Sequence, residues 1–274
     1  MNWLEGLLYG IISGLTEFLP ISSQAHQRIF LKFFGMNTPD PLQDLIVHLA
    51  LLAAVVIGCY HLIGQLRRGY QLQNRNQRGI RNNNFALELR FLKNAAFPFV
   101  IFYILISKLV IIEYDLLWIA LFSLLFSVVM FFSSRMLHGN KNERSMSSFD
   151  SIAVGFAGAL SAFCGISRIG IMLAVMTFRG VDRRKAVNWA LLLSMPSLIT
   201  VAFVDVLTLL TDAGRGLVSG SAIGYILSAV SAYIAGYVGI VLMRSMTAQN
   251  DNSGAAYYTF GVSLFSLFLY LSVV

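Results

Sequence analysis

Two short polar stretches interrupt long apolar sequence, and both carry side chains that could bind or cleave a phosphate group. The candidate residues are Glu17, Ser22, Ser23 and His26 in the first stretch, and Gly165, Ser167, Arg168 and Gly170 in the second. Ser23 and His26 are three residues apart, so a helix would bring a hydroxyl near a general base. Glu17 could orient His26, activate a water molecule or hold a divalent cation. The first stretch is therefore a candidate catalytic segment.

The second stretch has the residue types that favour an anion. Arg168 offers a planar fork of donors that matches phosphate oxygens. A helix that starts after a break presents free backbone N–H groups and the positive end of its dipole. Gly165 and Gly170 let the backbone approach a ligand closely, and we assign them, with Ser22 and Ser167, to substrate binding. In the alternative interpretation, Glu17 and Arg168 form a buried ion pair that only joins the two stretches.

The composition places these residues in a membrane protein. Of the 274 residues, 57% are hydrophobic and 12% are charged, whereas charged residues make up about a quarter of a soluble domain. An apolar run of about 20 residues can cross a bilayer as a helix. Six candidate spans cover residues 43 to 64, 94 to 112, 116 to 137, 186 to 206, 221 to 243 and 255 to 273. The sequence thus predicts an all-α polytopic protein, with residues 1 to 274 forming one integral membrane domain.

The positions of the basic residues indicate a membrane protein rather than a protein that binds nucleic acid. The net charge is +7, and a single topology puts most of the Lys and Arg on the cytoplasmic side. These residues fall in segments 65 to 93, 135 to 149 and 179 to 185, and at the end of the fifth span. In this topology both termini lie outside, so the interrupted stretches 3 to 34 and 150 to 178 must each return to the side they entered from. We therefore predict two re-entrant helical hairpins and no nucleic-acid partner.

An internal repeat relates the two hairpins. At an offset of 145 residues, the identical pairs are Gly10 with Gly155, Leu15 with Leu160, Phe18 with Phe163, Ile21 with Ile166 and Ser22 with Ser167. Three spans follow each hairpin, and the hairpins insert from opposite sides. This predicts an inverted-topology repeat, with repeat 1 at about 1 to 137 and repeat 2 at about 150 to 274. Such repeats place broken helices and a polar site near the bilayer midplane, where the two stretches should meet.

The two motifs resemble those of a known family. The run Glu17-Phe-Leu-Pro-Ile-Ser-Ser23 with His26, and the run Gly165-Ile-Ser-Arg168-Ile-Gly170, are similar to the two signatures of the bacterial undecaprenyl-pyrophosphate phosphatases, the UppP or BacA family. The resemblance extends over nearly the whole chain. It implies removal of the terminal phosphate from undecaprenyl pyrophosphate at the outer face of the cytoplasmic (inner) membrane. That reaction recycles the lipid carrier for peptidoglycan synthesis and is linked to bacitracin resistance.

The resemblance also implies roles for single residues. Arg168 would clamp the pyrophosphate, and the attacking group would be either Ser23 or a water molecule activated by Glu17. His26 and Glu17 would manage protons or a metal ion. Dependence on a divalent cation, Mg²⁺ or Ca²⁺, is implied, with Glu17 as its ligand. The expected partner is a polyprenyl pyrophosphate lipid in the bilayer, and a homodimer is compatible with the resemblance.

The chain departs from the family pattern at several positions. Ser13 stands where the family usually has a second acidic residue, one helical turn before its Glu. Cys164, Ile169 and Met172 replace the Pro, a Ser and the Thr of the second signature, and His48 stands where a Gln is expected. Fewer carboxylates and hydroxyls mean fewer metal and phosphate ligands. The alternative function is therefore a transporter or flippase that binds polyprenyl phosphate or another anionic lipid without cleaving it, since inverted repeats favour alternating access.

Overall fold

The computed structural model of the protein describes residues 1–36, 40–75, 84–109, 115–136, 139–211, 216, 218–248 and 253–273. Its named elements in these ranges are helical, which confirms the all-α prediction. In chain order the helices are α1 (Trp3–Glu17), α2 (Ser23–Phe33), α3 (Pro41–Gly58), α4 (Tyr60–Arg75), α5 (Asn84–Leu109), α6 (Leu116–Ser134), α7 (Ser148–Ala159), a short 3-10 turn (Leu160–Ala162), α8 (Arg168–Phe178), α9 (Arg183–Leu209), α10 (Ala222–Ala248) and α11 (Ser253–Val273).

Six of these helices are long and apolar enough to cross a membrane. They are α3, α5, α6, α9, α10 and α11, and each coincides with one of the six predicted spans. The first span ends earlier than predicted, because α3 stops at Gly58 and α4 begins at Tyr60. The predicted loop 65 to 93 is helical at both ends, since polar residues such as Arg67 do not prevent a helix from forming. Residues 76–83 of that loop lie outside the described residues.

Both predicted hairpins are pairs of helices that break where the polar stretches occur. Asn2 starts α1 with a capping box that includes Glu5, and α1 ends at Glu17, shortly before Pro20. A proline lacks the N–H that a continuing helix would need. In the second hairpin, α7 and the 3-10 turn end before Gly165, and α8 starts at Arg168. The return of each hairpin to its side of the membrane stays a prediction.

The closest helix pairs each join a helix from the first half of the chain to a helix from the second half. Helix α1 packs on α10, α7 on α5, α3 on α9, and α6 on α11. The hairpin contacts are close enough to require glycine. A Cβ at Gly10 would lie 2.3 Å from the carbonyl oxygen of Ser228, and one at Gly155 would lie 2.0 Å from that of Ala95. Gly10 and Gly155 are a pair in the sequence repeat, so the two hairpins use equivalent positions to contact the opposite half.

Charged side chains interact where the second hairpin begins and ends, at the start of α7 and just after the end of α8. Asp150 in the first turn of α7 is buried and accepts hydrogen bonds from the Ser147 backbone N–H, at 2.9 Å, and from Arg179, while Lys141 lies 3.9 Å away. Burial raises the pKa of Asp150, but the hydrogen bonds from Ser147 and Arg179 outweigh burial and bring the pKa below its ordinary value of 3.8. Ionised Asp150 therefore stabilises the start of α7.

Replacing Asp150 with Asn should lower the free energy of unfolding by about 1–3 kcal/mol at neutral pH, because hydrogen bonds to a charged group are lost. Since the folded pKa is depressed, this stabilisation is present above the unfolded pKa and is lost as the pH falls through the folded pKa. Thermal unfolding in detergent at pH 7 and near pH 3 should show the two proteins converging at acid pH. Asp115→Asn is the control, because Asp115 makes no capping hydrogen bond. An equal effect of both substitutions would contradict the prediction.

Candidate active site

The tips of the two hairpins are joined by two reciprocal hydrogen bonds. The Ser22 hydroxyl accepts from the Gly165 backbone N–H at 3.2 Å, and the Ser167 hydroxyl donates to the Leu19 carbonyl at 3.2 Å. Each serine also caps the second helix of its own hairpin: Ser22 accepts from Ala25 and Ser167 from Gly170. The structure thus brings the two polar stretches together, and these hydroxyls are engaged by the protein itself.

Arg168 and Glu17 form a buried ion pair across the two hairpins. Their Nη2 and Oε1 atoms are 3.4 Å apart, and both side chains are about 5% exposed. Arg168 also donates from Nη1 to the Ser197 hydroxyl of α9 at 3.5 Å. The Nε donor of Arg168 and the Oε1 acceptor of Glu17 have no hydrogen-bond partner. Buried polar groups are nearly always paired, so the unbonded Nε is a donor of Arg168 that the ion pair with Glu17 leaves unused.

Glu17 and Arg168 both line a small polar cavity. Its lining residues are Glu17, Ile21, Ser23, Gln24, Ser161, Ile166 and Arg168. The cavity measures about 10 Å³, which is roughly the space that one water molecule requires. Gln24 Oε1 and Ser161 Oγ are buried without partners as well. Three residues that line the cavity, Arg168, Gln24 and Ser161, therefore each have a buried polar atom without a hydrogen bond.

Ser23 lines the cavity, but its hydroxyl is not bonded to His26. It donates to the Ser13 carbonyl at 3.5 Å. The Ser13 hydroxyl in turn accepts from the Gln27 side-chain amide at 2.9 Å. A neutral Ser13–Gln27 pair therefore occupies the helical turn before Glu17.

His26 is half-buried and is not among the residues that line the cavity. Its Nδ1 lies 2.6 Å from the Ser22 carbonyl oxygen, and its Nε2 lies 2.8 Å from the Tyr258 hydroxyl of α11. Both ring nitrogens thus have partners other than Ser23. The cavity lining includes Glu17, Ser23 and Arg168 but not His26, and the hydrogen bonds of Ser23 and His26 go to other partners than each other.

The glycines of the second motif are needed for an unusual backbone conformation and for close contacts with α6. Gly165 has a φ of +117°, and a Cβ there would lie 2.8 Å from the backbone nitrogen of Ser123 in α6. At Gly170 a Cβ would lie 2.5 Å from the ring of Phe126. Both close approaches are to the protein, so the glycines allow α6 to pack against the second hairpin beside Arg168.

Four residues of the site were missed by sequence reasoning. They are Gln24, Ser161, Ser197 and Tyr258. Ser161 pairs with Thr16 at the repeat offset of 145, so the repeat could have indicated it. Gln24 lies inside the first motif, between Ser23 and His26. Ser197 and Tyr258 sit in predicted spans far from either motif, and no sequence signal connects them to the site.

The side chains at the cavity do not fit a resident divalent cation. Among the described residues Glu17 is the one carboxylate that lines it, and its Oε1 is already paired with the Arg168 guanidinium. Across the residues the structure describes, no cluster of three or more His, Cys, Asp or Glu side chains is suited to a metal ion. The role of Glu17 as a metal ligand stays a prediction.

Comparison with known families agrees with the arrangement of the motifs. A model of the bacitracin resistance protein BacA family matches residues 6–265 of the chain. The chain belongs to the BacA family. Relatives named undecaprenyl-diphosphatase include one from Thermosipho melanesiensis, which is 29% identical over 96% of this chain and 98% of its own length. One from Desulforudis audaxviator is 28% identical over 92% of this chain and 91% of its own length. The undecaprenyl-diphosphatase 1 of Shouchella clausii is 29% identical over 96% of this chain and 95% of its own length.

In this BacA family member, the contact between the hairpin tips should be measurable. Ser22→Ala removes the acceptor of both the Gly165 and the Ala25 backbone N–H groups, so we expect a loss of about 1–2 kcal/mol in unfolding free energy. Hydrogen exchange of the Gly165 amide should also become faster. The matched control is Ser127→Ala, because that buried hydroxyl donates only to Leu124 within its own helix. Unchanged exchange at Gly165 in Ser22→Ala would show that the tips are held by other contacts.

Proposed function

We propose that the protein is a membrane phosphatase that hydrolyses undecaprenyl pyrophosphate, or a related polyprenyl pyrophosphate, to the lipid monophosphate and inorganic phosphate. The observation that carries the proposal is the buried Arg168–Glu17 pair at the lining of one cavity, in which the Arg168 Nε donor makes no hydrogen bond. A guanidinium binds phosphate oxygens in a fixed geometry. The names of the BacA family relatives support the same class of substrate.

In the proposed reaction Arg168 binds the terminal phosphate and Glu17 activates a water molecule. The water oxygen forms a bond to the terminal phosphorus while the bond from that phosphorus to the bridging oxygen breaks. The water proton passes to Glu17, and the bridging oxygen leaves on the lipid monophosphate. Water is favoured over the Ser23 hydroxyl because His26, the candidate base for Ser23, is bonded elsewhere. Ser23 lies at the cavity and would orient the water or the phosphate.

The cavity is smaller than a phosphate group, so the tips must separate or side chains must rotate when the lipid binds. Ile21 and Gln24 line it on the first hairpin, and Gln24 Oε1 has no partner to hold it. A divalent cation, if required, would be brought by the substrate, because Mg²⁺ commonly uses phosphate oxygens and few carboxylates as ligands. The described residues supply only Glu17 for such an ion.

The proposal includes a location and a physiological role. The chain is a multi-pass membrane protein with six apolar helices. We propose that it lies in the bacterial cytoplasmic membrane with both termini and the site facing outside, where it recycles the lipid carrier for peptidoglycan synthesis. The placement of basic residues supports this orientation. Assembly as a homodimer stays a prediction.

The decisive experiment measures phosphate release from undecaprenyl pyrophosphate by purified protein in detergent, with and without a chelator. Glu17→Gln should lose nearly all release, while Ser245→Ala should retain it, because Ser245 bonds only within its own exposed helix turn. Loss of activity with chelator would support a cation that arrives with the substrate. Transfer of lipid across liposomes without phosphate release would instead identify a transporter or flippase and overturn the phosphatase proposal.

A further inference from the structure

A second polar cavity lies at the start of the second hairpin, where α7 begins. It has a volume of about 320 Å³ and is lined by one face of α5 and by the segment that leads into α7. This volume corresponds to roughly ten water molecules and is within the range of about 300–1,000 Å³ that is usual for small-molecule sites. The 12 residues of α7 separate it from the hairpin tip, and no described residue lines both cavities. The cavity can therefore hold a ligand of its own.

The charged groups around this cavity leave an excess of positive charge. Arg90 of α5 and Arg144 of the segment before α7 line it, and neither forms an ion pair within the described residues. Arg144 Nε donates to Asn84 Oδ1 at 2.7 Å, which positions its guanidinium. Among the described lining residues Glu143 is the one acid, and its carboxylate is paired with Lys185. Two guanidinium groups are thus available to an anion such as a phosphate.

The start of α7 adds hydrogen-bond donors that suit the same anion. Ser147 and Ser148 line the cavity, and the Ser147 hydroxyl caps the helix by accepting from the Asp150 backbone N–H at 3.1 Å. Backbone N–H groups in the first turn of a helix have no partner within the helix, and they form the positive end of its dipole. Asp150 is in the same turn, but its buried carboxylate is outside the lining and already paired with Arg179. Phosphate oxygens are suitable acceptors for these donors.

Exposed apolar side chains continue from the cavity along both helices. Phe97 lies one turn after the lining residue Asn94, and Ile152 lies one turn after Ser148. Phe97 is 71% exposed and Ile152 is 49% exposed. Helices α5 and α7 pack side by side, and α5 is long and apolar enough to cross a membrane. A soluble phosphate compound would leave this apolar surface uncovered, whereas the acyl chains of a lipid would cover it.

We propose that this cavity binds the headgroup of an anionic phospholipid. Arg90 and Arg144 bind its phosphate, the first turn of α7 donates to it at Ser148, and its acyl chains lie along Phe97 and Ile152. The basic residues predict that this end of the protein is cytoplasmic, and basic pockets between membrane helices on that side bind anionic headgroups. The inference does not depend on the phosphatase proposal, because the site at the hairpin tips takes no part in it.

Thermal unfolding of the delipidated protein in detergent tests the proposal with three probes. Dioctanoyl phosphatidylglycerol should raise Tm as its concentration increases, because a ligand that binds the folded state stabilises it. Dioctanoyl phosphatidylcholine has the same chains and no net charge, and glycerol phosphate has the charge and no chains, so neither should raise Tm. An equal shift with phosphatidylcholine would show that charge is not recognised. An equal shift with glycerol phosphate would identify a site for soluble phosphates, and either result would overturn the proposal.

Replacing both arginines tests where the lipid binds. Arg90→Gln with Arg144→Gln should raise the phosphatidylglycerol concentration that gives half of the Tm shift about 30-fold, which is about fivefold for each arginine. The matched control is Arg67→Gln with Lys93→Gln, which removes the same charge from exposed positions outside the cavity. Its titration should match that of the wild type. Equal weakening in the two double variants, or none in the first, would overturn the proposal.

A further variant is informative even if loss of the Arg144–Asn84 hydrogen bond unfolds the protein. Ser148→Asp places a negative charge in the cavity and in the first turn of α7, where a negative charge favours the helix. It should keep the fold and lose the response to phosphatidylglycerol, and a response equal to that of the wild type would overturn the proposal. None of these measurements uses phosphate release. A protein without phosphatase activity would therefore still show the lipid response, and the two proposals can fail separately.

Discussion

Arg168→Ala should reduce phosphate release by at least about 10³-fold, because a guanidinium that stabilises a transferring phosphate contributes this much to catalysis. The structure leaves little compensation, since no second cationic side chain lines the described part of the cavity. The measurement is the initial rate of phosphate release from a polyprenyl pyrophosphate at saturating substrate. Activity within a few-fold of the wild type would remove the basis for the assignment.

Loss of fold must be separated from loss of function in this variant. Removing Arg168 leaves the Glu17 carboxylate buried without its charged partner, which costs about 3–5 kcal/mol of stability. Arg168→Lys keeps the charge but loses the planar fork, so it should retain the fold and still lose most activity. The double substitution Glu17→Gln with Arg168→Met removes both charges. It should recover thermal stability relative to Arg168→Ala and remain inactive.

Gly165→Ala should be the most damaging single-methyl change in the site. The φ of +117° lies outside the conformations that residues with a Cβ adopt readily, and the new atom would lie within 3.0 Å of the backbone of both Ser123 and Ile119. We expect strain of about 1–3 kcal/mol. A shift of the tip by about 1 Å would reduce activity by about 10²-fold, because Arg168 is only three residues away.

Gly35 provides a matched control for this substitution. It also has a positive φ, +68°, but no atom lies within 4 Å of where its Cβ would be. Gly35→Ala should therefore show a modest loss of stability and full phosphate release. Similar kinetics for the two alanine variants would mean that crowding at the tip does not hold the site in place.

The broken helices could be predicted because their causes are local, and the meeting of the two polar stretches could be predicted from the inverted repeat. Pro20 prevents α1 from continuing, and Ser22 and Ser167 are strong N-cap residues. The position of Arg168 then follows, since it is the first residue after the second cap. The six spans could be predicted for a similar reason, because length and apolar composition decide whether a helix can cross a bilayer.

The orientation of His26 could not be predicted in this way. Sequence spacing puts Ser23 and His26 on neighbouring positions of one helix, but the imidazole is turned by partners at Ser22 and at Tyr258, 232 residues away. His48 is a similar case: its Nδ1 lies 2.6 Å from Asp205, on a helix that begins 135 residues later. Contacts between distant helices depend on tertiary packing, which a single sequence does not encode in a readable pattern.

The exchange of hairpins between the halves has a consequence for how the protein is made. Helix α1 is synthesised well before α10, yet the glycine face that includes Gly10 is covered by α10, more than 200 residues further along the chain. The first hairpin therefore lacks this packing partner until α10 has been synthesised. A chain that ended before α10 would therefore lack the surface that covers the glycine face of α1.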